Sequence, residues 1–445
     1  MKIAASGLLL PFILKMMPSE TVGIWSVFMT ITTFTALLDF GFSPSFTRNV
    51  TYVFSGVRTL KVNGFETNDD GSTKVDYGLL KGVINAMRWF YLRMALVLFL
   101  LLFTIGTFYI NRILKDYNGS HSEVFIAWII LCIISTYNLY TLYYDSLLQG
   151  KGLIKRSKQI IIIGQSVYLI IAAFLIIEGF GLVAIVTAQV ASVVIIRWLA
   201  YRSFFTKELK NNLIEAIANS QKDVLEAITP NAIKVGLTSL GGFMVQKSAI
   251  IIGSLYLSLK DIASYGITTQ LISIIAGLSG IYIATYQPKI VQLRIENNLQ
   301  RIKELYLRGQ LIFFVTYLAG GLCLIFFGEF ALKLIGSQTT LLSNSMIIIA
   351  SIVFFLETNH SIAANIIMTR NEVPFFKASL ISGSATIILL LGLFIFFHPG
   401  VMVMILAPGI AQVAYQNWKW PLFVIKDLNI TSKDIFESVL NAVYS

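Results

Sequence analysis

The chain has 445 residues, 56% of them hydrophobic and 13% charged, with a mean hydropathy of +0.75. This balance excludes a soluble domain of that length and points to a protein that crosses a bilayer many times. The formal charge of +11 invites a nucleic-acid reading, which the distribution of that charge along the chain excludes.

Twelve apolar runs are predicted to cross the membrane: residues 1–17, 22–47, 86–110, 123–148, 158–178, 181–203, 229–256, 262–288, 306–328, 341–368, 374–397 and 400–422. Runs of about 20 residues reach across the hydrocarbon core as helices. Helices are required because open strands leave backbone groups unsatisfied in lipid. The predicted fold is all-α and polytopic, with twelve helices in two pseudo-symmetric six-helix lobes at 1–203 and 229–422. Between them, 204–228 spaces Leu209, Leu213, Ile214 and Ile217 among lysines and glutamates, as in an amphipathic helix on the cytosolic surface. Residues 423–445 form a cytosolic tail. The loop 57–82 carries a predicted turn at Asn68-Asp69-Asp70-Gly71-Ser72.

The lobes read as a repeat. Val22-Gly23-Ile24-Trp25 answers Ile262-Ala263-Ser264-Tyr265, and Tyr91-Leu92-Arg93 answers Tyr306-Leu307-Arg308. Gln149-Gly150-Lys151-Gly152 falls on Met368-Thr369-Arg370-Asn371, Gly164 on Gly383 and Gly181 on Gly400, all at one offset. Paired six-helix halves in a membrane protein are the usual build of a transporter with its pathway between the halves. Met1 aligns with Gly241, whereas the seventh run begins near Thr229. A start upstream of Met1 is therefore expected, the alternative being a short first helix. No signal-peptide cleavage site follows the first run.

Basic residues crowd the loops after runs 2, 4, 6, 8 and 10: Arg48 to Arg88, Lys151 to Lys158, Arg202 to Lys222, Lys289 to Lys303, and Arg370 with Lys377. The opposite loops hold only Lys15, Arg112, Lys115, Lys260 and Lys333. That asymmetry places the basic loops and both termini in the cytosol. Cys132 and Cys323 lie inside apolar runs and indicate no redox compartment.

Catalytic signatures are missing: no HExxH, no phosphate-binding loop, no nucleophile elbow and no metal-ligand cluster. His121, His360 and His398 are scattered. What remains is polar chemistry within the membrane, where ionisable groups are costly and point to function. The fourth run carries Asn138, Thr141 and Asp145 at i, i+3 and i+7, on one helical face. The tenth carries Glu357, His360, Ser361 and Asn365, and the repeat places Asn138 on Glu357 and Thr141 on His360. Two polar stripes at one depth line a water-filled cavity or hydrogen-bond the helices together. Lys247, deep in the seventh run, needs a carboxylate, water or an anionic ligand, and Glu357 is a possible partner. In the second run Gly41 and Pro44 predict a break or kink, with Asp39 before it and Arg48 after it. Arg48, Arg88 and Arg93 near the cytosolic ends of runs 2 and 3 are candidate phosphate ligands, since a guanidinium binds phosphate in bidentate fashion. Tyr137, Tyr140, Tyr143 and Tyr144 suit an interfacial aromatic belt or stacking on sugars.

The stretches Val22-Gly23-Ile24-Trp25, Leu38-Asp39-Phe40-Gly41-Phe42-Ser43-Pro44 with Arg48-Asn49, and Leu147-Leu148-Gln149-Gly150-Lys151-Gly152 carry a family resemblance. The chain resembles the Wzx-type O-antigen and capsule-unit flippases of the multidrug/oligosaccharidyl-lipid/polysaccharide (MOP) exporter superfamily. The resemblance implies V-shaped MATE-like lobes alternating between inward and outward openings in a bacterial inner membrane. It also implies an undecaprenyl-pyrophosphate-linked glycan as substrate, with an O-antigen polymerase and a chain-length regulator as partners alongside membrane lipids. No cofactor is implied. With no nucleotide site, the driving force is a proton or sodium gradient or consumption of the product, and Asp39, Asp145 and Glu357 are the candidate coupling carboxylates. The chain departs from the lipid-linked peptidoglycan-precursor flippases, which have fourteen helices. It also lacks a carboxylate in runs 11 and 12, where some superfamily members hold sodium. A drug–cation antiporter of the same superfamily, a membrane enzyme such as a polymerase or ligase, and a scaffold of glycan assembly are the competing readings.

Overall fold

The computed structural model describes residues 2–57, 59–60, 65–66, 75–370, 373–397 and 400–434. The turn expected at 68–72, His398 and residues 435–445 of the tail lie outside the described residues. Among the described residues the chain is helical apart from a two-residue antiparallel ladder, β1 (Thr59–Leu60) with β2 (Phe65–Glu66).

The first run is α1 (Lys2–Met16), and the second is split into α2 (Ser19–Leu37) and α3 (Phe42–Phe54). The third is α4 (Tyr77–Leu101), continued through a π-helical turn at Leu102–Gly106 into α5 (Thr107–Ile113). The fourth is split into α6 (His121–Tyr140) and α7 (Tyr143–Gly150), and α8 (Ile154–Ile177) and α9 (Gly181–Phe204) complete the half. The linker forms α10 (Lys207–Glu215). In the second half come α11 (Gln221–Gly253), α12 (Leu259–Ser279) with α13 (Ile281–Ile295), α14 (Leu299–Ile335), α15 (Asn344–Met368), α16 (Phe376–Phe397), and α17 (Met402–Val413) with α18 (Gln416–Asp427).

Among the described residues eight stretches are long and apolar enough to cross a membrane by themselves, the third run counted through its π-helical turn and the fourth through its break. The runs outside these eight are the first, second, seventh and twelfth. α1 has only 15 residues, α2 and α3 part at Leu38–Gly41, and α17 and α18 part at Ala414 and Tyr415. The break after α2 comes from two consecutive left-handed residues, Phe40 at φ 45° and Gly41 at φ 71°. Pro44 does not make the break. It lies in the first turn of α3, where a missing N–H is tolerated.

The chain forms two compact units. The first comprises Met1–Met16 and Val27–Leu240, the second Met17–Ser26 and Gly241–Ser445. The division falls inside two helices, α2 and α11, and not at the linker. In the first unit α8 and α9 form the tightest hairpin, α1 packs on α8, α6 on α9, and α3 on α7. Gly164 and Gly150 make these approaches possible, because a Cβ would meet the Ile196 side chain at 2.3 Å and Val50 at 2.5 Å. In the second unit α16 packs on α17 and α15 on α18. Gly241 lies against the Ser379 backbone, and Gly383 against Met244 and Gly241. The repeat glycines Gly164 and Gly383 therefore serve different neighbours, α9 in one unit and α11 in the other.

Candidate functional site

In the first unit the break in the second run builds a site. The chain turns at Phe40 and Gly41, which leaves Asp39 at the N-terminal end of α3. Its carboxylate accepts the Ser43 N–H at 3.1 Å on each oxygen, where the helix dipole favours negative charge. The Tyr91 hydroxyl of α4 donates to the same carboxylate, and Ser43 and Ser146 hydroxyls meet at 3.0 Å. The Tyr91 ring lies between Phe46 and Tyr143. Arg48 is not the partner of Asp39. It sits on the exposed face of α3 and makes no hydrogen bond or ion pair among the described residues.

The second element of this site is Arg197 of α9, which sequence reasoning missed. It is 5% exposed. Its guanidinium donates to Asp145 Oδ2 at 3.2 Å and to Asn138 Oδ1 at 2.7 Å, and reaches the Asn138 carbonyl at 3.5 Å. Asn138 precedes the break between α6 and α7 and Asp145 follows it, so one cation holds both sides of the break. Arg197 Nε is buried without a partner. An arginine inside the apolar run Val193–Leu199 was the available signal. Thr141, expected on the stripe with Asn138 and Asp145, is buried with its hydroxyl on the Tyr137 carbonyl at 2.7 Å, because the break consumes it as a backbone cap.

Arg88 and Arg93 are exposed on α4. Arg88 exerts its field on Tyr144, while Arg93 stacks over the Trp89 ring at 3.7 Å. Neither touches the Asp39 cluster. α4 buries Tyr91 on one face and exposes Arg93 together with Leu92 and Leu96 on another.

In the second unit Glu357 of α15 accepts Gln246 Nε2 of α11 at 2.9 Å. Lys247 feels the field of Glu357 but makes no hydrogen bond or ion pair with it or with any other described residue. His360 is buried and turns to Asn417 Oδ1 of α18 at 2.9 Å. The Nδ2 of Asn417 is left buried without a partner. Asn365 exposes its side chain, and its carbonyl accepts Gln287 Nε2 at 2.9 Å. The stripe Glu357, His360 and Asn365 is thus divided, with His360 packed against α18 and the other two more open. Asn417 and the neighbouring Gln412 and Gln416 of the twelfth run, all buried, were not singled out by sequence. Among the described residues no three His, Cys, Asp or Glu come together as metal ligands do.

No family profile and no curated sequence matches the chain. Solved structures do. An inward-facing multidrug resistance MATE family transporter of the MOP superfamily superposes with a TM-score of 0.64 at 15% identity, covering 97% of this chain and 96% of that one. The lipid II flippase MurJ in an inward closed conformation gives 0.58 at 14% identity, over 96% of this chain and 89% of that one. An outward-facing MATE family transporter gives 0.57 at 14% identity, over 96% and 92%. The chain is a multi-pass membrane protein with the MATE-like fold that these MOP-superfamily structures share.

Proposed function

We propose that this protein is a flippase that moves undecaprenyl-pyrophosphate-linked oligosaccharide units, the building blocks of O-antigen, capsule or exopolysaccharide, from the cytosolic to the outer leaflet by alternating access. The observation that carries the reading is Lys247. It is a lysine inside an apolar helix that makes no hydrogen bond or ion pair with any described residue, while the nearby Glu357 is engaged by Gln246. A cation held in lipid without a bonded counter-charge suits a strongly anionic head group. Arg48 and Arg88, exposed and without an ion pair among the described residues, add positive charge of the kind a pyrophosphate path requires. Asn138, Thr141, Glu357, His360 and Asn365 are the polar residues proposed to bind the substrate. The exposed Asn365 suits that role best, since Asn138 is engaged by Arg197, Thr141 by its own backbone and His360 by Asn417.

Coupling to a proton or sodium gradient is assigned to the Asp39–Tyr91 pair first. Asp145 is neutralised by Arg197, whereas Asp39 has only neutral donors. The bacterial inner membrane with both termini cytosolic is the setting this reading requires, and a polymerase and chain-length regulator are its expected partners.

A cation antiporter is the second reading. It is supported by the carboxylate-rich cluster of the first unit, two aspartates to one arginine, and by the likeness to multidrug transporters.

The test is to delete the gene in its native host and assay lipid-linked glycans by leaflet. Completed undecaprenyl-pyrophosphate oligosaccharide accumulating on the cytosolic face, with loss of the surface polymer, supports the flippase. Glycans that reach the outer leaflet but stay unpolymerised overturn it in favour of an enzyme or scaffold. Sensitivity to cationic dyes with intact glycans overturns it in favour of the antiporter.

A further inference from the structure

The cytosolic segment joining α9 to α11 is fastened to α4. Lys81 Nζ donates to the Ala216 carbonyl at 2.8 Å, at the C-terminal end of α10, and the Asn219 N–H donates to the Gly78 carbonyl at 3.1 Å. The backbone of this segment lies directly on two glycines of α4. A Cβ at Gly78 would meet the Ile217 carbonyl oxygen at 2.6 Å, and one at Gly82 the Asn219 carbonyl oxygen at 2.9 Å. At 100° per residue, Gly78, Gly82, Trp89, Arg93, Leu96 and Leu100 share one face of α4. Contact is closest at the two glycines. About 10 Å further along that face, a cavity of about 700 Å³ opens between Trp89 and one side of α11, lined by Gln221, Lys222, Leu225, Glu226 and Thr229 together with Ser220.

The chemistry of this cavity is graded along α4. At its rim Arg93 stacks on Trp89. Lys222 contributes a second cation, held by Glu226 only at 3.8 Å with both side chains mostly exposed, an arrangement that binds weakly. With Glu226 counted, the rim carries one net positive charge. Beyond Arg93 the same face turns apolar and open, with Leu96 54% and Leu100 61% exposed. From Arg93 to the end of α4 and its π-helical turn is about 15–20 Å, close to one leaflet of hydrocarbon. A headgroup-sized cavity with a lysine in its lining and an arginine stacked on its tryptophan, continued along the same helix face by exposed leucines, matches a phospholipid from phosphate to acyl chain.

We infer that the cavity between Trp89 and the first turns of α11 is a binding site for an anionic phospholipid of the cytosolic leaflet, its phosphate held by Arg93 and Lys222 and an acyl chain lying along Leu96 and Leu100. The site assigns Arg93 to a lipid phosphate on the outer surface of the first unit and does not depend on what the protein transports. It needs the segment 214–219 pinned to α4, since that contact places Lys222 opposite Trp89.

The repeat supplies an internal control. Arg308 answers Arg93, but the position answering Trp89 is Glu304, so the second unit lacks the stacked pair. The experiment is native mass spectrometry of the full-length protein, stripped in detergent and re-equilibrated with phosphatidylglycerol, phosphatidylcholine or soluble glycerol phosphate. Retention of one phosphatidylglycerol in preference to phosphatidylcholine is expected. The double variant R93Q/K222Q should lower that retention by about tenfold or more, as two surface cations would, and R308Q should leave it unchanged. Both substituted charges are exposed, so the packing of the unit is kept. Equal retention of phosphatidylglycerol by wild type and double variant overturns the site. So does an equal loss in R308Q, which would mean general charge attraction, equal retention of phosphatidylcholine, which would mean an apolar groove alone, or comparable binding of glycerol phosphate without a lipid tail.

Discussion

Arg197 anchors the first unit through bonds to both sides of a helix break. Replacing it with methionine leaves the Asp145 carboxylate without its counter-charge and frees the Asn138 side chain. Loss of one partner of a buried pair costs about 3–5 kcal/mol, and the low end applies because Asp145 keeps some exposure. R197M is therefore expected to lower thermal stability in detergent markedly, and the double variant R197M/D145L to recover most of the loss, which a double-mutant cycle of melting temperatures checks. Asp39 is held differently, by neutral donors and the end of α3. The Asp39→Ala variant removes the acceptor of the Ser43 N–H and of the buried Tyr91 hydroxyl, at about 1–3 kcal/mol for a buried donor left unsatisfied, a loss no larger than that of R197M. Outside the membrane, hydrogen bonds from Lys303 and Thr431 hold the Asp434 carboxyl below its usual range. A depressed carboxyl contributes stability above its unfolded value of about 3.9 and loses it as the pH falls through the lower folded value. The tie to Lys303 should survive mild acid. Limited proteolysis near 434 should stay unchanged from pH 7 to pH 5 and quicken at every pH in that range in D434N.

Broken helices are where the polar chemistry of this chain collects. α2 and α3 part at left-handed residues that release Asp39, α6 and α7 part between Asn138 and Asp145, and α17 and α18 part just before Gln416 and Asn417. At Gly41 the backbone sits at φ 71°, a conformation that costs an L side chain about 1–2 kcal/mol. G41A should lose stability by about that amount and weaken the Asp39–Tyr91 contact, which tyrosine fluorescence or hydrogen exchange of α3 would register. The glycines of α4 make a different demand, since they admit the linker backbone. Alanine at Gly78 and Gly82 together should push residues 216–219 off α4 and speed protease cleavage within 214–220, while the membrane part of the first unit keeps its melting behaviour.

At the scale of the molecule, the compact units depart from the two halves of the sequence at two places. Residues 17–26 belong with the second unit, and α11 runs unbroken from the first unit into the second. If protonation or sodium binding drives the proposed cycle, neutral amides at Asp39, Asp145 and Glu357 together should abolish the pH or sodium dependence of glycan translocation in proteoliposomes. Of the single variants, D39N should carry the largest share. An unchanged dependence in the triple variant would assign the driving force to consumption of the product.

The sequence by itself determined the membrane, the helical class, the pairing of two six-helix halves and the polar residues worth examining, because hydropathy and repeat spacing are local properties written along the chain. It also located Gly41 as a break. Only the tertiary structure decided which polar groups meet. Arg197 lies 52 residues from Asp145 and 59 from Asn138, Tyr91 lies 52 from Asp39, and Asn417 lies 57 from His360. Helical periodicity places a residue on a face, but which neighbour that face meets depends on the packing of helices far apart in sequence. The break in the fourth run shows the limit most plainly. A regular helix puts Asn138, Thr141 and Asp145 on one stripe, and the folded chain instead closes Thr141 on its own backbone and gives the other two to an arginine from another helix.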